Sequence, residues 1–497
     1  MKLLSAGLVL CVASAPAFGQ VTLTRGPAAC KVGPTKARIQ WKTSPASAGA
    51  VEWGPSPALG NTTPVTGTTG LHEVLVSGLT PSTIYSYRVL AEGVPVSNTF
   101  SFRTAHQPLH PFTRVATFAD SGNGGPDQYA VASLLGTLEP ELVLLAGDVI
   151  YPDGEPEGMD PRFFTPYASL LPGVPFYLAL GNHDYQTDCG EPYLDNFCLP
   201  TSSAGGERYY SFETADVHIA SVDSGFCDPG GFVCSPLLVV LEQLLWLDMD
   251  LADSDARWKV VFFHHSPYSD SNHGDNLLAQ ALLVPILEER GVDLVITGHD
   301  HCYERFPPLV EGSPDPSGPR YLVAGTGGAG VYPIDPGPLL EVGVEAHGTL
   351  LLDVSGNQVR GRFVSAEPGT FGQVMDDFTM SKGPTTPTLG LSAEVSPPGS
   401  TPILTVNGEV GEDYGVFFSL GTGYVELPPH GVMLLDMSLG NFAFSGTLLG
   451  GEAQHPLPLP PIPALNGMRL YFQGAATSTD PSVGGLWITN VSLLTIG

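Results

Sequence analysis

The chain has 497 residues, too many for one ordinary domain, and its 20 basic and 50 acidic side chains give a formal charge of −30. So acidic a surface, with no basic patch in the sequence, excludes nucleic acid and anionic membranes as natural partners. Any phosphate-bearing substrate must then be attracted by something other than lysine and arginine, and bound cations can do that.

Residues 1–19 carry Lys2, a short apolar run and the small-residue stretch Ala17-Phe18-Gly19, the pattern of a secretory signal peptide. No other run approaches about 18 apolar residues, so no membrane span is expected and the mature protein is predicted to be secreted or periplasmic. Beyond Cys11 stand Cys30, Cys189, Cys198, Cys227, Cys234 and Cys302. An even set in an exported chain reads as loop staples, and close spacing favours Cys189 with Cys198 and Cys227 with Cys234.

Residues 21–105 alternate with period two, as in Ala37-Arg38-Ile39-Gln40-Trp41-Lys42 and Tyr85-Ser86-Tyr87-Arg88-Val89. An all-β sandwich follows. Leu79-Thr80-Pro81 ahead of Tyr85 and Tyr87 resembles the later strands of a fibronectin type III module. It holds no cluster of catalytic residue types, so it is expected to serve as a spacer or wall. Between residues 112 and 366 apolar strand-like runs alternate with helical patterns at 127–138, 236–252 and 276–289, predicting a layered α/β domain. A Pro/Thr linker is expected at 381–389, and residues 390–497 are again β-patterned, predicting a second β-rich domain with no assigned partner.

Five blocks in the α/β region follow strand-like runs: Ala119-Asp120-Ser121-Gly122, Gly147-Asp148-Val149-Ile150-Tyr151, Gly181-Asn182-His183-Asp184, Val261-Phe262-Phe263-His264 and Gly298-His299-Asp300-His301. Loops at strand ends are free to converge on a ligand. Their Asp, Asn, His and Tyr side chains form an oxygen and nitrogen donor set for hard or borderline cations, with no thiolate in it. Asp148 can bridge two cations, while Tyr151 can bring a phenolate to only one of them.

These blocks, in this order, resemble the calcineurin-like metallophosphoesterases and, through Tyr151 in G-D-x-x-Y, their purple acid phosphatase branch. Gln243-Leu244-Leu245-Trp246-Leu247 and His301-Cys302-Tyr303-Glu304-Arg305 are similar to further family segments. The resemblance implies a central α/β/β/α sandwich flanked by the two β domains. It implies two metal ions per chain: Asp120, Asp148, Tyr151 and His301 on a ferric ion, and Asp148, Asn182, His264 and His299 on iron, zinc or manganese. Of the pair His264-His265, the V-x-x-H spacing selects His264, which leaves His265 beside the site or exposed. His183 and His273 correspond to the family's substrate-facing histidines. The activity implied is hydrolysis of small phosphate monoesters by in-line attack of a metal-bound hydroxide. The alternatives are a phosphodiesterase on the same scaffold and, from a different class, a non-catalytic adhesion protein. Two departures stand out: Ala119 where the family has glycine before its first aspartate, and Asp300 with Cys302 around the last histidine.

Overall fold

The structure, a computed structural model, describes residues 21–107, 112–203, 206–228, 234–382, 388–407, 412–420, 422–427, 431–435, 440–448, 452–465, 467–477 and 486–496. The expected signal peptide lies outside the described residues, as does most of the expected linker.

Residues 21–104 form a β-sandwich in which the long strand Lys36–Pro55 pairs with Thr22–Cys30, Asn61–Ser77 and Ile84–Ala91, and Ile84–Ala91 with Val94–Pro95 and Phe100–Arg103. Its alternating residues put Ala37, Ile39, Trp41 and Val51 against Val74, Val76, Tyr87, Val89 and Phe102. The sandwich docks on residues 160–178 and 196–207 of the next domain. The Arg25 guanidinium donates to Asp160 and Asn196 and lies 3.5 Å from the centre of the Phe164 ring, and the Tyr87 hydroxyl donates to the carbonyl of Pro172 at 2.8 Å.

Two sheets make the central domain. In the first, Thr113–Phe118, Leu142–Leu145 and Phe176–Leu178 run parallel, and Gly348–Ser355, Gln358–Ser365 and Val374–Ser381 continue antiparallel from Thr113–Phe118. In the second, Val217–Ser221, Trp258–Phe262, Leu294–Thr297 and Arg320–Ala324 run parallel, edged by antiparallel Tyr210–Thr214 and Tyr303–Val310. Period-two alternation sends Ile219, Val260, Phe262, Leu294 and Ile296 inward to the shared core. Ala220, Val261, Val295 and Val323 point outward, beneath the outer helices.

Helix α1, Pro126–Leu138, starts on a proline and stops where Glu139 turns left-handed before Pro140; it covers the first sheet. Helix α2 spans Glu191–Asn196, and α3, Leu237–Asp253, lays Val240, Leu247 and Leu251 on the second sheet. The single helix expected at 276–289 is two, α4 (Leu277–Leu282) and α5 (Val284–Glu289). Pro285 is the cause, since its ring and missing N–H disfavour an unbroken turn. The α/β/β/α layering implied by the resemblance is present.

The first sheet runs beyond the expected domain end at 366, because Val374–Ser381 pairs with Gln358–Ser365. The strand Thr388–Leu391 in turn begins inside the expected linker and joins a C-terminal β domain that shows, among the described residues, three-, five- and two-stranded sheets. That domain packs on the end of α1, where the Tyr471 hydroxyl donates to Glu139 at 2.6 Å and Thr495 Oγ1 to the carbonyl of Thr137 at 3.1 Å. Among the described residues no helix is long and apolar enough to cross a membrane.

The cysteine expectation needs correction. Cys189 is bonded to Cys234, not Cys198, and Cys227 carries a free thiol. Sequence proximity is a poor guide here, because the fold brings residues on either side of the hairpin Tyr210–Ser221 together.

Candidate metal centre

Every parallel strand of both sheets ends at the same edge, and the five sequence blocks meet there. Asp120 follows Thr113–Phe118, Asp148 follows Leu142–Leu145, Asn182 and His183 follow Phe176–Leu178, His264 follows Trp258–Phe262, and His299 and His301 follow Leu294–Thr297. Two sheets converging at one edge let carboxylates from one face imidazoles from the other.

Asp120, Asp148 and His264 each place a donor atom within 4.8 Å of the others, and all three are buried. The Tyr151 hydroxyl donates to Asp120 Oδ1 at 3.0 Å and lies 3.2 Å from His301 Nε2. On the other side His264 Nε2 lies 3.0 Å from Asn182 Oδ1, 3.2 Å from His299 Nδ1 and 3.5 Å from Asp148 Oδ2. All seven expected ligands therefore share one cluster.

The hydrogen bonds behind the rings set their tautomers. His264 Nδ1–H donates to the carbonyl of Ala146 at 2.9 Å, and His301 Nδ1–H to that of Gly330 at 2.8 Å. In their neutral forms both rings therefore turn an Nε2 lone pair into the cluster. His264 Nε2 then faces an amide oxygen, a carboxylate and an imidazole nitrogen. A positive charge among them would satisfy all three contacts at once. Without a metal a proton fills that need: burial lowers the His264 pKa, but Asp148 and Asp120 more than offset it and raise it to about 10. The Tyr151 phenol is held far above its ordinary range by burial and by the carboxylates of Asp120 and Asp148, so only a cation could make a phenolate stable there. The donors fit a pair of hard or borderline cations.

Backbone strain marks the same residues. Asp120, Asp148 and His299 have φ of 59°, 51° and 73°, a region non-glycine residues seldom occupy. The block glycines leave room for the clustered side chains: a Cβ on Gly147 would lie 2.6 Å from His264 Nδ1, and one on Gly181 2.2 Å from Asp148 Oδ1. The departure at Ala119 is absorbed in the same way, since a Cβ on Gly298 would sit 2.3 Å from the Ala119 methyl group.

His183 and His273 stand beside opposite halves of the cluster. The His183 N–H donates to Asp148 Oδ1 at 2.9 Å and its ring lies 4.5 Å from that of Tyr151. His273 is exposed and stacks on His299 at 4.0 Å. The second departure, Asp300, anchors it: the carboxylate accepts from the His273 N–H at 2.8 Å and from Ser269 Oγ at 2.6 Å. His265 is buried rather than exposed, with Nδ1 3.0 Å from Ser224 Oγ.

Sequence reasoning gave no role to three features. Asp184, buried, accepts from the N–H groups of Val149, Ile150 and Gly181 at 3.1, 2.9 and 2.9 Å, binding two ligand loops together; burial and then Asp148 raise its pKa to about 7. Residues 325–332, Gly-Thr-Gly-Gly-Ala-Gly-Val-Tyr, pass over the Asp120 loop, with Gly327 N–H donating to the carbonyl of Ala119 and Ala329 N–H to that of Asp120 at 2.8 and 2.9 Å. That loop ends at Tyr332, whose ring stacks on His301 at 4.0 Å. Its glycine density was the available signal.

Asp184→Asn turns an amide N–H₂ toward backbone donors. It is expected to lower metal affinity or turnover by about 10- to 100-fold, as loss of a ligand-supporting hydrogen bond typically does. Metal titration of the variant checks this, and unchanged affinity and turnover would contradict it.

Residues 113–303 match the family model of the calcineurin-like phosphoesterases, and residues 21–104 match that of the purple acid phosphatase N-terminal domain. Purple acid phosphatase 3 of Arabidopsis thaliana is 30% identical over 250 residues, covering 45% of this chain and 67% of the relative. Purple acid phosphatase 18 of the same plant is 29% identical over 276 residues, covering 52% of this chain and 58% of the relative. The purple acid phosphatase PPD1 of yellow lupin (Lupinus luteus) superposes with a TM-score of 0.61 at 18% identity, covering 72% of this chain and 74% of its own, and so shares the fold. The chain belongs to the purple acid phosphatase family. It spans 58% of the length of several of its curated relatives.

Proposed function

We propose that the chain is an exported acid phosphatase that hydrolyses phosphate monoesters at a two-cation centre. Asp120, Asp148, Tyr151 and His301 would hold one ion and Asp148, Asn182, His264 and His299 the other, with Asp148 shared. A ferric ion suits the Tyr151 side because a phenolate is a hard, anionic donor, and iron, zinc or manganese suits the other. When bound, such ions supply positive charge for the phosphoryl oxygens and make a coordinated water acidic at neutral pH.

The remaining work falls to the chain's own residues. His183 and His273 would donate N–H bonds to the phosphoryl oxygens, and His273, exposed at the mouth, would protonate the departing alkoxide. Asp300 holds His273 in place through its backbone. The observation that carries the reading is His264 Nε2 facing Asn182, His299 and Asp148 within 3.5 Å, a nest that calls for a cation.

Rates on para-nitrophenyl phosphate, its bis-ester and an alkyl phosphate test the proposal. The monoesters are expected to be the better substrates. His273→Ala should lower kcat by roughly 10²- to 10⁴-fold on the alkyl ester and far less on para-nitrophenyl phosphate, whose leaving group needs no proton. Preference for the diester contradicts the monoester reading, and equal losses contradict the acid role.

A further inference from the structure

Two buried cysteines meet across the boundary between the front sandwich and the central domain. Cys30 ends the strand Thr22–Cys30, and Cys198 lies two residues beyond α2. They are 8% and 5% exposed, both carry free thiols in this structure, and the Cys30 thiol is close enough to bear directly on that of Cys198, which it and burial hold far above its ordinary range. The Cys30 thiol also lies 3.5 Å from the carbonyl of Arg38.

The approach is fixed from both sides. Beside Cys30, the Ala29 N–H donates to the carbonyl of Leu171 at 2.9 Å, the Lys31 ammonium to Glu207 at 2.6 Å, and the Tyr177 hydroxyl to the carbonyl of Val32 at 3.1 Å. Beside Cys198, the Asn196 side-chain oxygen accepts from Arg25 and Lys42, each at 3.0 Å. Parting the thiols would therefore mean opening the domain interface. The neighbouring Cys189 is already oxidised, in its bond to Cys234.

We propose that Cys30 and Cys198 form a second disulfide, which covalently joins the front β-sandwich to the central domain. The oxidant is a disulfide donor, either a small-molecule disulfide or a disulfide-carrying oxidoreductase. One cysteine thiolate attacks a donor sulfur, forming a mixed disulfide and releasing the first donor thiol. The second thiolate attacks the mixed disulfide at this chain's sulfur, the Cys30–Cys198 bond forms, and the second donor thiol leaves. The two cysteines lose two electrons and two protons, and the donor disulfide takes up both. Because the docked interface buries both sulfurs, the exchange belongs to folding, before the domains close.

A link from residue 30 to residue 198 closes a far longer loop than the Cys189–Cys234 bond, whose ends are 45 residues apart. Loop-closure entropy makes the longer loop the more stabilising one. It also holds the sandwich on the domain when the surrounding hydrogen bonds break.

The experiment uses the full mature protein, produced in an oxidising compartment, unfolded without reductant, alkylated and digested. Mass spectrometry is expected to find a Cys30 peptide joined to a Cys198 peptide, separating on reduction. Alkylation of both cysteines in the unreduced sample would overturn the proposal. Cys30→Ser, Cys198→Ser and the double variant give an independent reading. Each single change should lower Tm by about 5–15 °C, and the double variant should fall no further. Additive losses would overturn the proposal, since two unlinked thiols act independently.

Discussion

Asp148→Ala is expected to abolish turnover and to cost the protein both metal ions. Its carboxylate lies between the two halves of the cluster: Oδ2 is 3.5 Å from His264 Nε2 and 3.9 Å from His183 Nε2, and Oδ1 accepts from the His183 N–H. Burial raises the Asp148 pKa, but His264 and His183 more than offset it, and the group stays a carboxylate well into acid. Removing the shared anion leaves Asp120 as the one carboxylate of the cluster, and Asn182, His264 and His299 with no anion to balance a second cation. Loss of several kcal/mol of charge stabilisation corresponds to roughly a thousandfold in kcat/KM or more. Steady-state rates and metal analysis of the variant check this. A variant that keeps two ions and a rate within tenfold of the parent would contradict the bridging assignment.

The second large effect concerns stability and lies away from the site. Asp353 stands opposite Arg114 on one neighbouring strand and Arg360 on the other. It accepts from Arg114 Nε at 2.7 Å and Nη2 at 2.9 Å and pairs with Arg362, which in turn pairs with Glu394 at the start of the C-terminal domain. All four groups are buried. Asp353→Ala leaves Arg114 in the core without its carboxylate and Arg362 with Glu394 alone, and is expected to cost about 3–5 kcal/mol, read from the denaturant midpoint. A loss below about 1 kcal/mol would show that water relieves the site.

The same network sets an acid limit. Burial pushes the Asp353 pKa up, but Arg114 and Arg362 pull it further down, so the folded value lies below the unfolded one. Its contribution is complete above the unfolded value of about 3.9 and is lost as pH falls through the lower folded value. Stability of the parent should therefore drop more steeply below about pH 4 than that of Asp353→Ala.

The clustering of the seven expected ligands at one sheet edge was legible in sequence because buried parallel strands leave continuous apolar runs, as at Leu142-Val143-Leu144-Leu145, and the next polar residues then mark the edge. Glycines helped for a physical reason: Gly147, Gly181 and Gly298 sit where a Cβ would strike an expected ligand or its neighbour. Tyr332 was not legible, because it reaches His301 through a loop whose position depends on hydrogen bonds to the Asp120 turn. The Cys189–Cys234 bond was missed because a pairing depends on which chain segments the fold brings together. The domain end at 366 fell short because Val374–Ser381 is half exposed, and alternation alone does not tell the last strand of one sheet from the first of the next domain.

These seven side chains are expected to bind two ions, with Tyr151 on only one of them. Metal content and the visible spectrum of the purified mature protein, beside Tyr151→Phe, test it most directly. About two ions per chain are expected, with a purple tyrosinate-to-iron charge-transfer band that vanishes in the variant. Two ions without colour would remove the ferric assignment; a protein that binds no metal while all seven ligands are intact would contradict the account.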